Sequence, residues 1–282
     1  MRDGFFTLPK NVKIHKGRHN MADTNKEIRY VGVKENLAYG FANAGQVFGY
    51  NLVAGGYLSL FFTKVFGIPA AAVSTMILVL GIWDTINDPL MGGIIDRTRT
   101  RFGKLRPYLM VVPIPLSIAT IMLFAGPEIL ADAKTTTVKI VYMYISYIIW
   151  ELFYTLGDVP FWGLSTAISP NPNDRTTAIS SARMISGIFG GLSTTALVVM
   201  MDLSNNGKWG LTLSQDFLIL AIIAGTVGMA LFSLAGFKTK ERVVQSVKEP
   251  SVIDGFKVLF KNKPLLLIII GNVLGTLAGL SN

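Results

Sequence analysis

Apolar residues run in long blocks along this chain, and polar ones gather in the gaps between them. Six blocks, at 39–62, 70–95, 108–126, 138–169, 177–201 and 216–237, are each long enough to cross a hydrocarbon layer as a helix. A seventh opens near 264 and runs towards Asn282. Backbone groups in lipid must bond within their own segment, so the pattern predicts helices rather than open strands. The 138–169 block exceeds what the layer needs, which predicts tilt or protrusion. The expected organisation is a polar tail over 1–36, a six-helix bundle over 37–237, a linker over 238–263 and the start of a seventh helix over 264–282. Six helices, a linker and a further apolar run are laid out like a six-plus-six carrier cut just past its middle. Ending at Leu280-Ser281-Asn282 inside an apolar run favours a fragment; a complete six- or seven-helix protein is the alternative.

Composition agrees with an all-α membrane protein. Hydrophobic residues make up 51% of the chain and charged ones 15%, against roughly a quarter charged in soluble domains. The absence of cysteine excludes a disulfide framework and a thiolate metal site. Both histidines, His15 and His19, stand in the polar tail, which excludes a buried histidine site.

The net charge of +9 gains its meaning from where it lies. Lys64, Lys134, Lys139 and Lys208 are the basic residues on one side of the expected helices; the other 22 Lys and Arg fall on the opposite side, counting Arg183 with the loop before the fifth block. By the positive-inside rule the N terminus is cytoplasmic, so the basic excess is topological and no nucleic-acid partner is expected. The first 36 residues lack the apolar core of a secretory signal. Met21-Ala22-Asp23 is a second plausible start, weighed evenly against a short cytosolic tail.

The most informative chemistry lies in the second block. Asp84 and Asp88 stand four residues apart in an otherwise apolar run, and carboxylates at that depth cost a few kcal/mol or more. Asp84, Asn87 and Asp88 share one helix face. Their oxygens suit a hard cation such as Na⁺ or Li⁺, with Asp84 and Asp88 as its charged ligands, or else a proton on one carboxylate. Pro89 removes one backbone hydrogen bond beside them. The structural alternative is a pair neutralised by Lys or Arg from a neighbouring helix, and Arg183 is the one basic residue placed near enough to a helix interior to serve.

In the fourth block Glu151, Thr155 and Asp158 form a second polar stripe at helical spacing, flanked by Tyr154, Phe161 and Trp162 and interrupted by Pro160. An acid beside aromatic rings suits sugar recognition, the acid taking hydroxyls and the ring covering the apolar sugar face. An interfacial aromatic belt is the structural alternative. In the first block Asn43, Gln46 and Tyr50 recur at helical spacing with Asn51 beside them, either lining a polar cavity or bonding between helices. Gly187, Gly190 and Gly191 are read as packing glycines. After the second block, Gly92, Asp96, Arg97, Arg101, Gly103, Lys104 and Arg106 alternate basic, acidic and glycine positions more regularly than topology requires. They are read as a gating latch whose charges reach neighbouring helix ends in one state only.

These residues together carry a resemblance. Gly92-x-x-x-Asp96-Arg97 resembles the loop signature of the major facilitator superfamily. The run Trp83-Asp84-Thr85-Ile86-Asn87-Asp88-Pro89-Leu90-Met91-Gly92, then Arg101-Phe102-Gly103-Lys104-Leu105-Arg106-Pro107, resembles the glycoside–pentoside–hexuronide:cation symporters, the melibiose permease family. Thr155-Leu156-Gly157-Asp158-Val159-Pro160-Phe161-Trp162 is similar to that family's fourth helix. The resemblance runs from about residue 39 to the seventh block and implies the N-terminal six-helix bundle of that fold. It implies that Asp84, Asn87, Asp88 and Thr155 hold the coupling cation and that Tyr154, Asp158, Trp162 and Arg183 contact the sugar. The acid that family members place on helix one is replaced here by Gln46-Val47, which argues against a galactoside substrate, and Glu151 is an acid outside the family pattern that would stand in for it.

The expectation is therefore a symporter of the cell membrane moving a sugar or glycoside with Na⁺ or H⁺, without a cofactor beyond the coupling ion. Its partners would be the bilayer, the small-molecule sugar and the C-terminal half of the same fold. A cation-coupled carrier of lysolipid or another amphiphile and a non-transporting sugar sensor are the rivals. No nucleophile–base pair or metal cluster suggests an enzyme.

Overall fold

Proline and glycine mark several, though not all, of the helix boundaries in this chain. The computed structural model describes residues 29–53, 57–132 and 135–243, with single positions between 262 and 271. The tail over 1–28, most of the linker and the seventh apolar run fall outside the described residues.

The first apolar block forms α1 (Val33–Val53), a short α2 (Tyr57–Leu60) and a π-helical turn (Phe61–Val65), and ends at Gly67, whose φ of 73° suits a residue without a Cβ. Pro69 then opens α3 (Ala70–Arg97), which carries Pro89 without breaking. The third block is not the single helix expected. It divides into α4 (Arg106–Val111), α5 (Pro113–Phe124) and α6 (Gly126–Ile129), because Pro113 has no N–H to continue the ladder at Val112.

The fourth block is one helix, α7 (Thr136–Ala167), whose 32 residues extend about 48 Å, beyond the ~30 Å apolar layer. The fifth, α8 (Pro172–Asn205), starts earlier than its apolar pattern because Asn171 caps it by accepting from the Asn173 N–H and Pro172 fits the first turn. The sixth is α9 (Leu213–Ile223), a π-helical stretch (Ala224–Gly228) and α10 (Met229–Lys238), opened by a capping box between Thr212 and Gln215. Among the described residues there is no strand, only a bridge between Thr100 and Gly103.

Among the described residues three helical stretches are long and apolar enough to cross a membrane unaided: Thr136–Ala167, Pro172–Asn205 and Leu213–Lys238. Ala70–Gly81, within α3, and Pro113–Phe124, opened by its proline, are shorter apolar helices.

Packing centres on α1, which lies along α8 and against the π-helical stretch and α10; α3 lies against α7. The closest approach joins α1 to the sixth span. A Cβ on Gly45 would fall onto the Gly228 carbonyl oxygen and lie 2.9 Å from the Leu231 Cβ. The extra residue of the π-turn brings Gly228 into that crossing, and a Cβ on Gly225 would stand 3.0 Å from the Ser117 carbonyl of α5. At one end Phe61, Phe62, Phe66, Phe124 and Phe217 interlock, with Phe124 and Phe217 stacked at 5.8 Å. Nearer the other end Tyr39 stacks on Phe161 at 4.5 Å and donates its hydroxyl to the Phe161 carbonyl.

Because backbone cannot move aside as a flexible side chain can, Gly45→Ala should destabilise the bundle by about 1–3 kcal/mol. Thermal unfolding of the protein in detergent is the measurement. A midpoint equal to that of the unsubstituted protein would show that the α1–sixth-span crossing is looser than described.

Candidate functional site

Helical periodicity puts Asp84, Asn87 and Asp88 on the side of α3 that meets α7, and Thr155 on the facing side of α7. Asn87 is fully buried and donates from Nδ2 to the Thr155 hydroxyl at 3.2 Å. Asp88, on the same face of α3, is exposed. Two oxygens here have no hydrogen-bond partner: Asn87 Oδ1 and Asp84 Oδ1, each shut off from solvent. A buried acceptor left unmet is costly, and an occupant that is itself positive would meet such oxygens.

Among the described residues no basic side chain fills that role. The two ion pairs among the described residues are Lys104–Asp96 and Arg242–Glu35. The neutralising arginine considered from sequence, Arg183, lies elsewhere, its guanidinium 5.3 Å from the centre of the Trp162 ring. Among the described residues no three acidic, histidine or cysteine side chains form a metal cluster. The candidate set is two carboxylates, an amide and a hydroxyl, which suits a monovalent hard cation rather than a transition metal.

The second constellation joins α1 to α7. Asp158 Oδ1 accepts from Gln46 Nε2 at 2.7 Å and from Trp162 Nε1 at 3.1 Å. Tyr50 stacks on Tyr154 at 5.2 Å, and Tyr154 on Trp150 at 4.9 Å. Trp150 is buried and donates to Thr120, so it belongs to the core, whereas Trp162 turns its indole N–H to the acid. Gln46 meets Asp158 directly, while Glu151 lies two helical turns before Asp158 on the same face of α7, with Thr155 between them.

Between α1 and α8 a groove of about 550 Å³ is lined by Asn43, Asn51, Trp162, Arg183, Ser186 and Thr194, among others. Asn43 donates to Ser186 at 3.0 Å, and its own amide oxygen is buried without a partner. Asn51 donates to the Gly190 carbonyl at 2.9 Å. Here the reading of the glycines changes: Gly190 packs against Asn51, but Gly187 and Gly191 have open space at the Cβ position and widen the groove instead. Ser186 and Thr194 had escaped notice because small hydroxyl residues on an apolar helix carry no periodic signal of their own.

The loop after α3 is tied down, though not mainly by its own charges. Lys104 pairs with Asp96, Arg106 Nε donates to the Gly236 carbonyl at the end of α10, and Arg101 lies over Phe102. The principal tie is Glu241, which accepts from the backbone N–H groups of Lys104, Leu105 and Arg106, each at 2.9 Å. Its carboxylate fits against Gly103, whose φ of 107° and missing Cβ leave the room. Gly92 and Arg97 stand outside this knot, Gly92 with open space at its Cβ position and Arg97 exposed in the last turn of α3.

A second tie lies alongside. Arg242 makes a two-pronged pair with Glu35, and the N–H groups of Arg242 and Val243 both donate to Ala167 at the end of α7. Asp174 accepts from Tyr30 N–H and Ser169. Glu35, Asp174, Glu241 and Arg242 were not foreseen. The charge-dense stretch Lys238-Thr239-Lys240-Glu241-Arg242, immediately after an apolar span, was the available signal.

Residues 38–282 match the family described as MFS/sugar transport protein. Over 259 residues the chain is 33% identical to the uncharacterized symporter YnaJ of Bacillus subtilis (strain 168), covering 87% of this chain and 52% of that protein. It is 31% identical to the isoprimeverose transporter of Lactiplantibacillus pentosus (84% and 48% covered). It is 30% identical to the glucuronide carrier protein homolog of Escherichia coli (strain K12), with 76% and 45% covered. The chain thus spans about half the length of the curated relatives it matches. Its all-helical bundle is the N-terminal bundle of the major facilitator fold. The chain belongs to the MFS/sugar transport protein family, a family of multi-pass membrane transporters rather than enzymes.

Proposed function

We propose that this chain forms one wall of a cation-coupled glycoside symporter of the cell membrane, with its N terminus in the cytoplasm. The observation that carries the reading is the pair of buried, unpartnered oxygens, Asp84 Oδ1 and Asn87 Oδ1, on the side of α3 facing Thr155, with no basic side chain among the described residues paired to either aspartate. A small cation, Na⁺ or H⁺, would satisfy them and join α3 to α7. On α7, Asp158 with Tyr154, Trp162 and Gln46 would receive the sugar, and Asn43, Ser186 and Arg183 would continue the polar wall along the groove. Asn43, Asn51, Ser186 and Thr194 place amides and hydroxyls among the apolar and glycine positions of that groove, where a polyhydroxylated cargo would find hydrogen-bonding partners. Two relatives whose names specify sugar-derived cargo, isoprimeverose and glucuronide, support the same class.

The cation would act by changing which conformation is stable, not by occupancy alone. Conformations must also differ at the loop end. The Glu241 tie to the loop at Gly103–Arg106 and the Glu35–Arg242 pair gather α1, α4, α7 and the stretch after α10 at one end of the bundle. We assign them the latch role, on the cytoplasmic face, in the conformation described here.

Uptake across a panel of glycosides, by cells expressing the full-length protein with and without Na⁺ and across external pH, tests the reading. Asp84→Asn and Asp88→Asn should each lower cation-stimulated uptake about tenfold or more, the loss of one charged interaction. Uptake indifferent to cations, or variants matching the unsubstituted carrier, would refute the site. For the latch, Glu241→Gln gives up charge-assisted hydrogen bonds, and amide hydrogen exchange at 104–106 should quicken about tenfold. Exchange unaltered at those amides would show that Glu241 holds nothing closed.

A further inference from the structure

Where α4 begins and α7 ends, the loop after α3 and the stretch after α10 border a cavity of about 540 Å³. Five basic side chains line it, those of Arg99, Arg101, Lys104, Arg106 and Lys240; among the described residues Glu241 is the one acid in its wall. The contacts made here use up the acids and leave the bases over. Glu241 spends its oxygens on three backbone N–H groups, and Asp96 is paired with Lys104. Arg99 donates to the carbonyls of Asp96 and Thr98, and Arg106 to those of Gly236 and Phe102. Carbonyls accept hydrogen bonds without cancelling a charge, and a guanidinium carries five N–H donors, so both arginines retain donors to spare. Arg101 is exposed over the Phe102 ring, and Lys240 is exposed with no acid paired to it among the described residues. Membrane topology asks for basic residues on this side of the bundle, but not for five of them around one cavity.

We propose that this cavity binds a phosphate-bearing anion, drawn from the headgroup layer of acidic phospholipids, and that the bound anion braces the latch. Guanidinium forks match phosphate oxygens in pairs, and the lysine ammoniums add point charges. Beside them Phe102, Leu105 and Val243 give the wall an apolar part, which suits the glycerol and first ester carbons of a lipid better than a fully hydrated ion. Basic residues next to a membrane span attract acidic lipids of the cytoplasmic leaflet. An anion in the cavity would touch the 99–106 loop and Lys240 together, adding a contact across the same joint that Glu241 closes. Its place on the cytoplasmic side rests on the charge bias along the chain. The anion site itself rests on the cavity and does not need the symporter reading.

The test uses the purified full-length protein in three preparations: nanodiscs of phosphatidylcholine, nanodiscs of phosphatidylcholine mixed with phosphatidylglycerol, and phosphatidylcholine nanodiscs with inorganic phosphate in the buffer. Amide hydrogen exchange at 104–106 is measured in each. Phosphatidylglycerol should slow it about tenfold, through charge-assisted hydrogen bonds gained across the joint. Combining Arg101→Gln with Lys240→Gln should erase that protection while exchange in phosphatidylcholine stays within about a factor of two, which separates lost binding from a disturbed fold. Lys240→Arg, with its charge retained, should preserve the protection. So should Lys238→Gln, which removes an exposed charge in the last turn of α10 outside the cavity wall. Equal protection by inorganic phosphate would support the anion site and assign it to a free ion instead of a lipid. Protection lost as fully in Lys238→Gln as in the double variant would reveal diffuse surface attraction and overturn the proposal. Exchange indifferent to both lipid and phosphate would overturn it too. None of these outcomes depends on uptake, so the cation site stands or falls separately.

Discussion

Carboxylates in an apolar helix set the terms for everything else in this bundle. Asp84 and Asp88 cannot be met by α3 itself, whose backbone groups are consumed by its own ladder, and among the described residues no lysine or arginine pairs with them. The protein's response is to bring a second polar stripe opposite, on α7, and to give Asn87 and Thr155 to each other while leaving acceptors over. That arrangement is incomplete as a purely structural contact. A hydrogen-bonded pair alone would be satisfied by Asn87 and Thr155; the remaining oxygens, Asp84 Oδ1 and Asn87 Oδ1, are those the proposed cation would meet.

The rest of the architecture keeps α7 in register for that purpose. Its aromatic and amide neighbours hold it against α1 through Gln46, Tyr39 and Tyr50, so a displacement at the cation set is transmitted to Asp158 without a long chain of contacts. The helix α1 is itself held by the glycine crossing at Gly45 and Gly228, where two backbones meet and no side chain can yield. Rigid crossing on one side and polar, unfilled groove on the other make α1 the hinge-side wall and α8 the open one. The π-turn within the sixth span makes this possible, since a regular helix would carry Gly228 past the crossing rather than into it.

Much of this is legible in the order of residues, for a definite reason. A carboxylate in an apolar run is a violation that periodicity locates to one face, so Asp84, Asn87 and Asp88 on one helix and Glu151, Thr155 and Asp158 on another stood out as two stripes before any contact was known, and the family resemblance joined Thr155 to the first. The helical blocks were equally visible, because hydropathy alone specifies them. What periodicity does not carry is the identity of partners across the bundle. Gly45 meeting Gly228, Glu241 clasping the backbone at Gly103, and Arg242 reaching Glu35 are pairings between distant polar or glycine positions whose local sequence is ordinary. The latch illustrates the point: its basic residues were evident, but the dominant contact is an acid bound to backbone N–H groups, and backbone donors leave no trace in a pattern of side chains. The break at Pro113 was the opposite case, readable from the residue and obscured by the apolar run around it.

The two ends of the molecule impose different demands, and the contrast bears on how a carrier of this kind would work. At the loop end, acids are saturated: Glu241 holds three N–H groups, Glu35 two prongs of Arg242 and Asp174 a hydroxyl and a backbone N–H. Mid-helix, acids retain unused capacity. Saturated acids hold one conformation until a competing contact forms, whereas unsaturated ones respond to whatever cation or hydroxyl enters. A switch needs both properties in separate places, since a site that satisfies itself cannot sense a ligand and a latch with unused acceptors cannot stay shut. Distributing them along α1 and α7, which touch both regions, lets binding at the middle and release at the end act on the same two helices.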